Sequence, residues 1–134
     1  MWYKLDENHN PVPCEIGDLP YDGSNTVRQD EHPAGLLSTV FLYLDHSSVM
    51  GGPPVLFETM WFPTGDNASS EIQERYHTWD EALAGHMRIA AELGIADTMV
   101  MVDQEEMRRD RAKARLDRAD ELKRRKVRLD DNDG

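Results

Sequence analysis

"STVFLYLD" at residues 38–45 and "VLFETMWF" at residues 55–62 carry the strongest strand signals in the chain, because both are rich in β-branched and aromatic residues. Both place large apolar side chains on each face, as in strands that are covered on part of both sides. The nine residues between them include Gly51-Gly52, which supply backbone freedom, and Pro53-Pro54, which lack amide donors. We therefore predict an antiparallel hairpin of strands 37–45 and 55–62.

Upstream of this hairpin the strand signals are weaker. "WYKL" and "VPCEI" are two short strand-like stretches on either side of the polar turn "DENHNP". Residues 17–35 contain several Gly, Pro, Asp and Asn residues, which is typical of an irregular connection. Within this connection we expect at most one short strand, around "NTVRQ".

Downstream, Thr78 and Glu81 have the spacing of a helix capping box, in which each residue satisfies a backbone amide of the other. The spacing predicts a helix over 79–93 that ends at Gly94, a residue that readily adopts the left-handed conformation. Its apolar stripe has helical periodicity and is expected to face the sheet. The stripe consists of Trp79, Ala82, Leu83, His86, Ile89, Ala90 and Leu93.

The C-terminal part of the chain changes in character. "GIADTMVMVD" is either a final strand or the start of the next helix, and residues 104–129 contain helix-forming residues without Gly or Pro. The sequence therefore predicts an α+β fold: a small antiparallel sheet packed on one amphipathic helix, with a long charged C-terminal helix. We assign residues 1–102 to a globular domain and 103–134 to a charged helical extension with an acidic tail.

Charge is divided unevenly between these two parts. Residues 1–102 hold 4 basic and 16 acidic residues, a net charge of −12, whereas residues 103–134 hold 11 basic and 10 acidic residues. Such an acidic domain repels phosphates, which argues against nucleic acid as a partner and allows a basic protein or a divalent cation. The sequence has no apolar run of membrane-spanning length and no nucleotide-binding or zinc-protease motif. We therefore expect no cofactor and no membrane partner.

Five residues could form a ligand site at one end of the predicted sheet. These are Asp45, His46, Glu58, His77 and His86. Carboxylates and imidazoles are common metal ligands, so the hypothesis is a small metal-binding or ligand-binding protein with hydrolytic activity at the His46/Glu58/His86 end. The alternative is structural, because a regular hairpin separates Asp45 from Glu58 by about 10 Å along the strand.

The structural alternative predicts specific partners. Glu58 would be half-buried and bonded to Arg75, Arg28 or a backbone amide. A histidine on the apolar stripe of a helix is usually a core residue, so His86 would bond to Glu58 or Tyr43.

The basic residues after 103 include four candidates for partner binding: Arg108, Arg115, Arg124 and Arg125. One interpretation is a solvated helix whose positive charges suit the helix C-terminus. A second is self-association, in which this helix contacts the acidic domain of another copy. Binding of nucleic acid is disfavoured, because Asp and Glu residues are interspersed among the basic ones.

Three blocks of the sequence resemble a family of short, uncharacterised proteins of bacteriophages and prophages. The blocks are "STVFLYLDH", "GGPPVLFETMWF" and "ERYHTWDEALAGH", and together they cover about residues 38–86. Tyr43 stands where such proteins more often have glycine. The resemblance implies phage origin and a host-cytoplasm setting, and it carries over no catalytic or ligand-binding residues.

Two classes of function follow as hypotheses. The first is a non-catalytic phage accessory protein that binds a host or phage protein, with blunting of a host defence system as one such role. The second is the metal- or ligand-binding protein described above. A minor virion component is a further alternative.

Overall fold

The computed structural model describes residues 1–20, 22–47, 51–65 and 68–132 of the chain, and for the last six of these it describes only the backbone. The chain divides into two compact units, Met1–Val102 and Asp103–Gly134. Residues 48–50 of the predicted hairpin loop lie outside the described residues.

The first unit is an α+β fold, which confirms the predicted fold class. A five-stranded antiparallel sheet has the strand order β6-β5-β4-β3-β7, and β1 and β2 form a separate two-stranded hairpin. The strands are β1 Trp2–Leu5, β2 Pro11–Cys14, β3 Thr26–His32, β4 Gly35–Phe41, β5 Phe57–Pro63, β6 Glu71–Tyr76 and β7 Val100–Met101. A helix, α1, spans Trp79–Glu92 between β6 and β7 and packs on β3, β4, β5 and β6.

The central hairpin forms as predicted, but its first strand is displaced toward the N-terminus. β4 ends at Phe41 rather than at 45, because Tyr43 has a φ of 64° and leaves the extended conformation. Glycine adopts this left-handed conformation without strain, which explains why glycine would be acceptable at this position. β4 pairs with β5 along its whole length, from Gly35 opposite Pro63 to Phe41 opposite Phe57.

Two strands of the sheet differ from the sequence-based expectation. β3 covers seven residues and pairs with both β4 and β7, so the connection predicted over 17–35 is only partly irregular. β6 was not predicted, because its sequence "EIQERY" has almost no apolar residues. It pairs with β5 at the sheet edge and contains a bulge at Gln73, between the pairs Thr59–Glu74 and Met60–Ile72.

The predicted helix cap is confirmed in part. The Thr78 hydroxyl accepts a hydrogen bond from the Glu81 amide, but the Glu81 carboxylate accepts from the His77 amide rather than from that of Thr78. The buried side of α1 consists of Ala82, Gly85, His86, Ile89 and Ala90. Leu83 was expected on this side and is instead exposed.

The face of the sheet that α1 covers, the inner face, is arranged in three layers. One apolar cluster contains Leu37, Trp61, Ile89, Ala90 and Ile95, and a second contains Phe41, Leu56, Phe57, Tyr76 and Ala82. Thr39 of β4 lies opposite Thr59 of β5 in the layer between these clusters, and His86 of α1 contacts it there. β4, β5 and α1 thus each contribute one polar residue that lies between two apolar residues of the same element.

The β1–β2 hairpin packs at one end of the sheet. The Tyr3 amide donates to the Tyr43 carbonyl, and Trp2 pairs with Leu44. At the tip of the hairpin, the His9 ring stacks on Trp79 with ring centroids 3.9 Å apart. This hairpin therefore contacts the first turn of α1 through an aromatic pair.

In the described part of the second unit a helix, α2, spans Gln104–Asn132 and so continues past the predicted end at 129. The Asp103 carboxylate accepts hydrogen bonds from the amides of Glu105 and Glu106, which caps the helix N-terminus. Among the residues that the structure describes, no helix is long and apolar enough to cross a membrane.

Candidate functional site

Asp45 has a structural role at the mouth of the loop between β4 and β5. Its carboxylate accepts hydrogen bonds from the amides of Ser47 and Val55, both at 2.8 Å. These two amides, together with the Ser47 hydroxyl, hold the pKa of Asp45 below its usual value. The carboxylate thus joins the two sides of the loop through backbone amides.

The two histidines predicted near Asp45 also contact this loop. The His46 amide donates to the Val55 carbonyl, and the His77 ring Nδ1 lies 2.9 Å from the Pro54 carbonyl oxygen. The His77 Nδ1 therefore carries the proton and donates it, because a carbonyl oxygen can only accept. Both histidines are exposed. His46, before the loop, thus bonds to Val55, and His77, before α1, bonds to the neighbouring Pro54.

Glu58 lies on the opposite face of the sheet, the outer face. It is paired with Val40 and Arg75 in the strand register, and its carboxylate accepts from the Arg75 Nε at 3.0 Å. Of the three partners considered for Glu58, the structure shows Arg75, and Glu58 is buried rather than half-buried. Glu58 itself is 7% exposed, although the Arg75 side chain is 40% exposed.

His86 lies on the inner face, so the expected site at the His46/Glu58/His86 end of the sheet does not form. Successive residues of a strand point to opposite faces, which places Glu58 on the far side of β5 from Thr59 and its neighbour His86. Within the described part of the chain, no group of three or more His, Cys, Asp or Glu residues could hold a metal ion. Glu58 and Tyr43 were the expected partners of His86, and this expectation is also wrong.

The actual partners of His86 are Thr39 and Asp30. The His86 Nδ1 is 2.7 Å from the Thr39 hydroxyl, and Nε2 is 2.6 Å from the Asp30 carboxylate. Asp30 also accepts two hydrogen bonds from the Arg28 guanidinium, at 2.7 and 3.2 Å. Asp30 comes from β3 and is fully buried.

The hydrogen bonds continue from Thr39 toward the other edge of the sheet. The Thr39 hydroxyl is 2.6 Å from the Thr59 hydroxyl, which is 3.1 Å from the Tyr76 hydroxyl. Tyr76 is in turn 3.4 Å from the Glu74 carboxylate, which also pairs with Arg88. We call this series the polar chain. Its members are Asp30, His86, Thr39, Thr59, Tyr76 and Glu74.

Burial sets the protonation states within the polar chain. It lowers the pKa of His86 despite the hydrogen bond to Asp30 and the negative charge of that carboxylate, because the cationic ring loses its hydration. Burial would raise the pKa of Asp30, but the hydrogen bonds from Arg28 and His86 and the positive charge of Arg28 lower it overall. Burial also raises the pKa of the Tyr76 hydroxyl. The structure thus favours neutral His86 beside a charged Asp30.

The order hydroxyl, imidazole, carboxylate in Thr39, His86 and Asp30 is that of a nucleophile with its base and its orienting acid. All three side chains are fully buried, with no exposed surface through which a substrate could be reached. The array can hold and move a proton, but it has no access to a substrate.

The four predicted partner-binding arginines are all exposed on α2. The Arg108 Nε donates to the Gln104 carbonyl one turn earlier, and Arg125 pairs with Glu121 at 2.9 Å. Arg115 and Arg124 are on the same helix. The segment 107–129 contains 11 basic and 4 acidic residues, so its surface is strongly cationic even though the whole unit is nearly neutral.

The outer face carries exposed apolar side chains. By the alternation of β4 and β5, this face includes Leu36, Val40, Met60 and Phe62, with Ile72 of β6 opposite Met60. Phe62 is 39% exposed and Ile72 is 51% exposed.

Comparison of the chain with known proteins finds no match: no protein-family model, no curated protein and no solved structure is similar to it.

Proposed function

We propose that the protein is a non-catalytic phage accessory protein that acts by binding a host or phage protein in the infected cell. The observation that carries the binding function is the apolar outer face of the sheet. Phe62 and Ile72 are large, exposed and held on a paired β-sheet, and such apolar groups are typical of the central part of a protein interface.

The burial of the polar chain supports a function without catalysis. A general base needs a substrate within hydrogen-bonding distance, and His86 is instead saturated by Thr39 and Asp30 beneath α1. Of the other four residues considered for a ligand site, Asp45 and His77 are engaged with backbone groups of the loop, and Glu58 is bonded to Arg75 on the opposite face of the sheet.

The charge of the first unit restricts the class of partner. At a net −12 over residues 1–102, the protein attracts basic protein surfaces at long range and repels nucleic acid and anionic membranes. We therefore propose a protein partner with a basic rim around an apolar patch. The phage setting rests on the resemblance of residues 38–86, and interference with host defence is the role we propose for such binding.

Self-association through α2 is a second part of the proposal. The cationic segment 107–129 complements the acidic residues 1–102 of another copy. Arg108, Arg115, Arg124 and Arg125 would supply contacts of this kind. Such an association weakens as salt is raised, since ions screen exposed charges over about 8–10 Å.

Affinity capture from infected cells, followed by mass spectrometry, tests the outer face. The protein is used as wild type, as the double variant Phe62→Ser/Ile72→Ser, and as the matched control Leu83→Ser/Met87→Ser. The control removes two apolar side chains of α1 that are each 38% exposed. We expect wild type and control to capture the same partner. The amount captured by the outer-face variant should be lower by at least about tenfold, as for loss of an interface hot spot.

Purified partner then allows the same three proteins to be compared by direct titration. Equal affinity of the outer-face variant and the wild type would contradict the proposed surface. A fourth variant, with Arg108, Arg115, Arg124 and Arg125 changed to Gln, separates the contribution of α2 from that of the sheet. Loss of capture in this variant alone would assign the partner to α2 instead.

A further inference from the structure

The protons available to the polar chain do not match the number of its links. Five contacts join Glu74, Tyr76, Thr59, Thr39, His86 and Asp30 in series. With His86 neutral, the three hydroxyls and one ring N–H supply four protons for these five contacts. One contact must then lack a proton, so that two acceptors face each other there.

The distances identify the contact that lacks a proton. The contacts from Asp30 through His86 and Thr39 to Thr59 measure 2.6, 2.7 and 2.6 Å, and the contact from Thr59 to Tyr76 measures 3.1 Å. The last contact, between Tyr76 and Glu74, is the longest at 3.4 Å. Every donor therefore points toward Asp30: Tyr76 to Thr59, Thr59 to Thr39, Thr39 to Nδ1 of His86, and Nε2–H to Asp30.

Addition of one proton to His86 removes this mismatch. The new proton resides on Nδ1, which then donates to Thr39. The Thr39 hydroxyl turns to donate to Thr59, Thr59 donates to Tyr76, and Tyr76 donates to Glu74. All five contacts then contain one proton each, Nε2–H still donates to Asp30, and no covalent bond other than the new N–H is formed or broken.

We propose that the polar chain is a proton-responsive device, in which uptake of one proton by His86 reverses three hydroxyl donors and turns the Tyr76 hydroxyl toward Glu74 at the edge of the sheet. The reversal is possible because each of Thr39, Thr59 and Tyr76 can be donor or acceptor. The resulting change is at β6, where the Tyr76 hydroxyl would donate to the Glu74 carboxylate in competition with Arg88.

The charged and titratable groups around His86 are consistent with this behaviour. They are Asp30 and Arg28 on β3, Glu74 and Tyr76 on β6, and Arg88 and Glu92 on α1. Asp30 and Glu74 lie at the two ends of the polar chain. Hydrogen bonds from the imidazolium therefore lead to a carboxylate in both directions. This inference is independent of the proposed binding function.

The test is an NMR titration of the His86 imidazole in the full-length protein, with the variant Tyr76→Phe and the control Tyr43→Phe. Tyr76→Phe removes the hydroxyl that links Thr59 to Glu74. Three contacts then remain, and with neutral His86 each of them contains one proton. With protonated His86 the Thr59 hydroxyl would have no acceptor in the polar chain. We expect its His86 titration midpoint to shift to lower pH relative to the wild type. Tyr43→Phe removes a hydroxyl bonded to the Pro20 carbonyl, outside the chain, and should leave the midpoint unchanged.

A second pair of variants separates hydrogen bonding from charge. Glu74→Ala removes the terminal acceptor, and Glu92→Ala removes a nearby carboxylate that makes no hydrogen bond to the chain. We expect Glu74→Ala to lower the midpoint further than Glu92→Ala does. Equal midpoints for Tyr76→Phe, Tyr43→Phe and wild type would overturn the proposal. A His86 that gains no proton before the protein unfolds would also overturn it.

Discussion

The two faces of the central sheet bury their ionisable groups in opposite ways. On the inner face, Asp30 and His86 have no exposed surface and are bonded at 2.6 Å, within a series of hydrogen bonds that crosses the sheet. On the outer face, Glu58 is bonded at 3.0 Å to Arg75, whose side chain is 40% exposed. The same backbone register thus holds a sealed polar layer on one side and a partly hydrated ion pair on the other.

This difference shows how packing decides the role of a residue type. The polar groups of the inner face are hydrogen-bonded to each other because α1 excludes water. A polar group left there without a partner would reduce the stability of the fold. The apolar groups of the outer face are left exposed, which favours contact with another molecule. We therefore expect substitutions on the inner face to change stability and those on the outer face to change binding.

Asp30→Ala, compared with Glu58→Ala, tests the contrast most directly. Loss of Asp30 leaves Arg28 and His86 without their acceptor in a buried site, so we expect a loss of about 3–5 kcal/mol in the free energy of unfolding. Loss of Glu58 leaves a guanidinium that water can reach, and we expect about 1 kcal/mol. Urea unfolding of both variants measures the difference, and equal losses would contradict the proposed difference between the two faces.

Gly85→Ala tests how closely the inner face is packed. A Cβ at Gly85 would lie 2.2 Å from the Tyr76 hydroxyl and 2.3 Å from its ring, so either the helix or the ring must move. We expect a loss of about 1–3 kcal/mol, as for overpacking of a core, even though alanine favours helix formation. In a double-mutant cycle, Gly85→Ala should cost less in a Tyr76→Leu background than in the wild type. An equal cost in both backgrounds would show that the clash with Tyr76 is not the cause.

Between pH 8 and pH 5, the pH dependence of stability should come from His86 on the inner face. Because the pKa of His86 is below its ordinary value of 6.5, the unfolded chain binds more protons than the folded one just below that pH. The contribution of His86 is therefore complete above about pH 6.5 and decreases as the pH falls toward its folded pKa. Asp30 acts in the same direction below 3.8, since its pKa is also lowered.

Thermal melts between pH 8 and pH 5 measure this dependence. His86→Gln should give a flatter profile than the wild type over that range. A wild-type slope retained in His86→Gln would assign the effect to other groups.

The smallest effect on stability is expected from deletion of residues 104–134. The contrast between the two faces requires that the core within Met1–Val102 is complete, and both apolar clusters lie in that unit. We expect the midpoint of thermal unfolding to change by only a few degrees, while the salt-sensitive self-association proposed for α2 is lost. Calorimetry and analytical ultracentrifugation at low and high salt measure the two effects. An unfolded truncated protein would show that α2 belongs to the core.

Much of the first unit was predictable from local patterns. The β-branched and aromatic content of the two stretches identified both central strands, and their pairing in the predicted hairpin is observed. Thr78 and Glu81 located the start of α1 to the residue. These signals are short-range, since strand alternation and helix caps each depend on a few neighbouring residues.

The partner of His86 was not predictable in this way. Asp30 is 56 residues earlier in the chain, within "TVRQDEH", which shows no apolar alternation. Its burial depends on the pairing of β3 with β4 and on the position of α1 across both. The one available signal was that Thr39, Thr59 and His86 each interrupt an apolar series at the middle position of their element.

The bulge at Gln73 also affects how the protein behaves at high concentration. An edge strand with a regular row of free amides and carbonyls is a template on which further strands add, which is the first step toward β-aggregates. In β6 the extra residue interrupts that row, and Glu71, Glu74 and Arg75 place charges along it. β7, at the opposite edge, is only two residues long. The sheet can therefore expose an apolar face to a partner while both of its edges resist polymerisation.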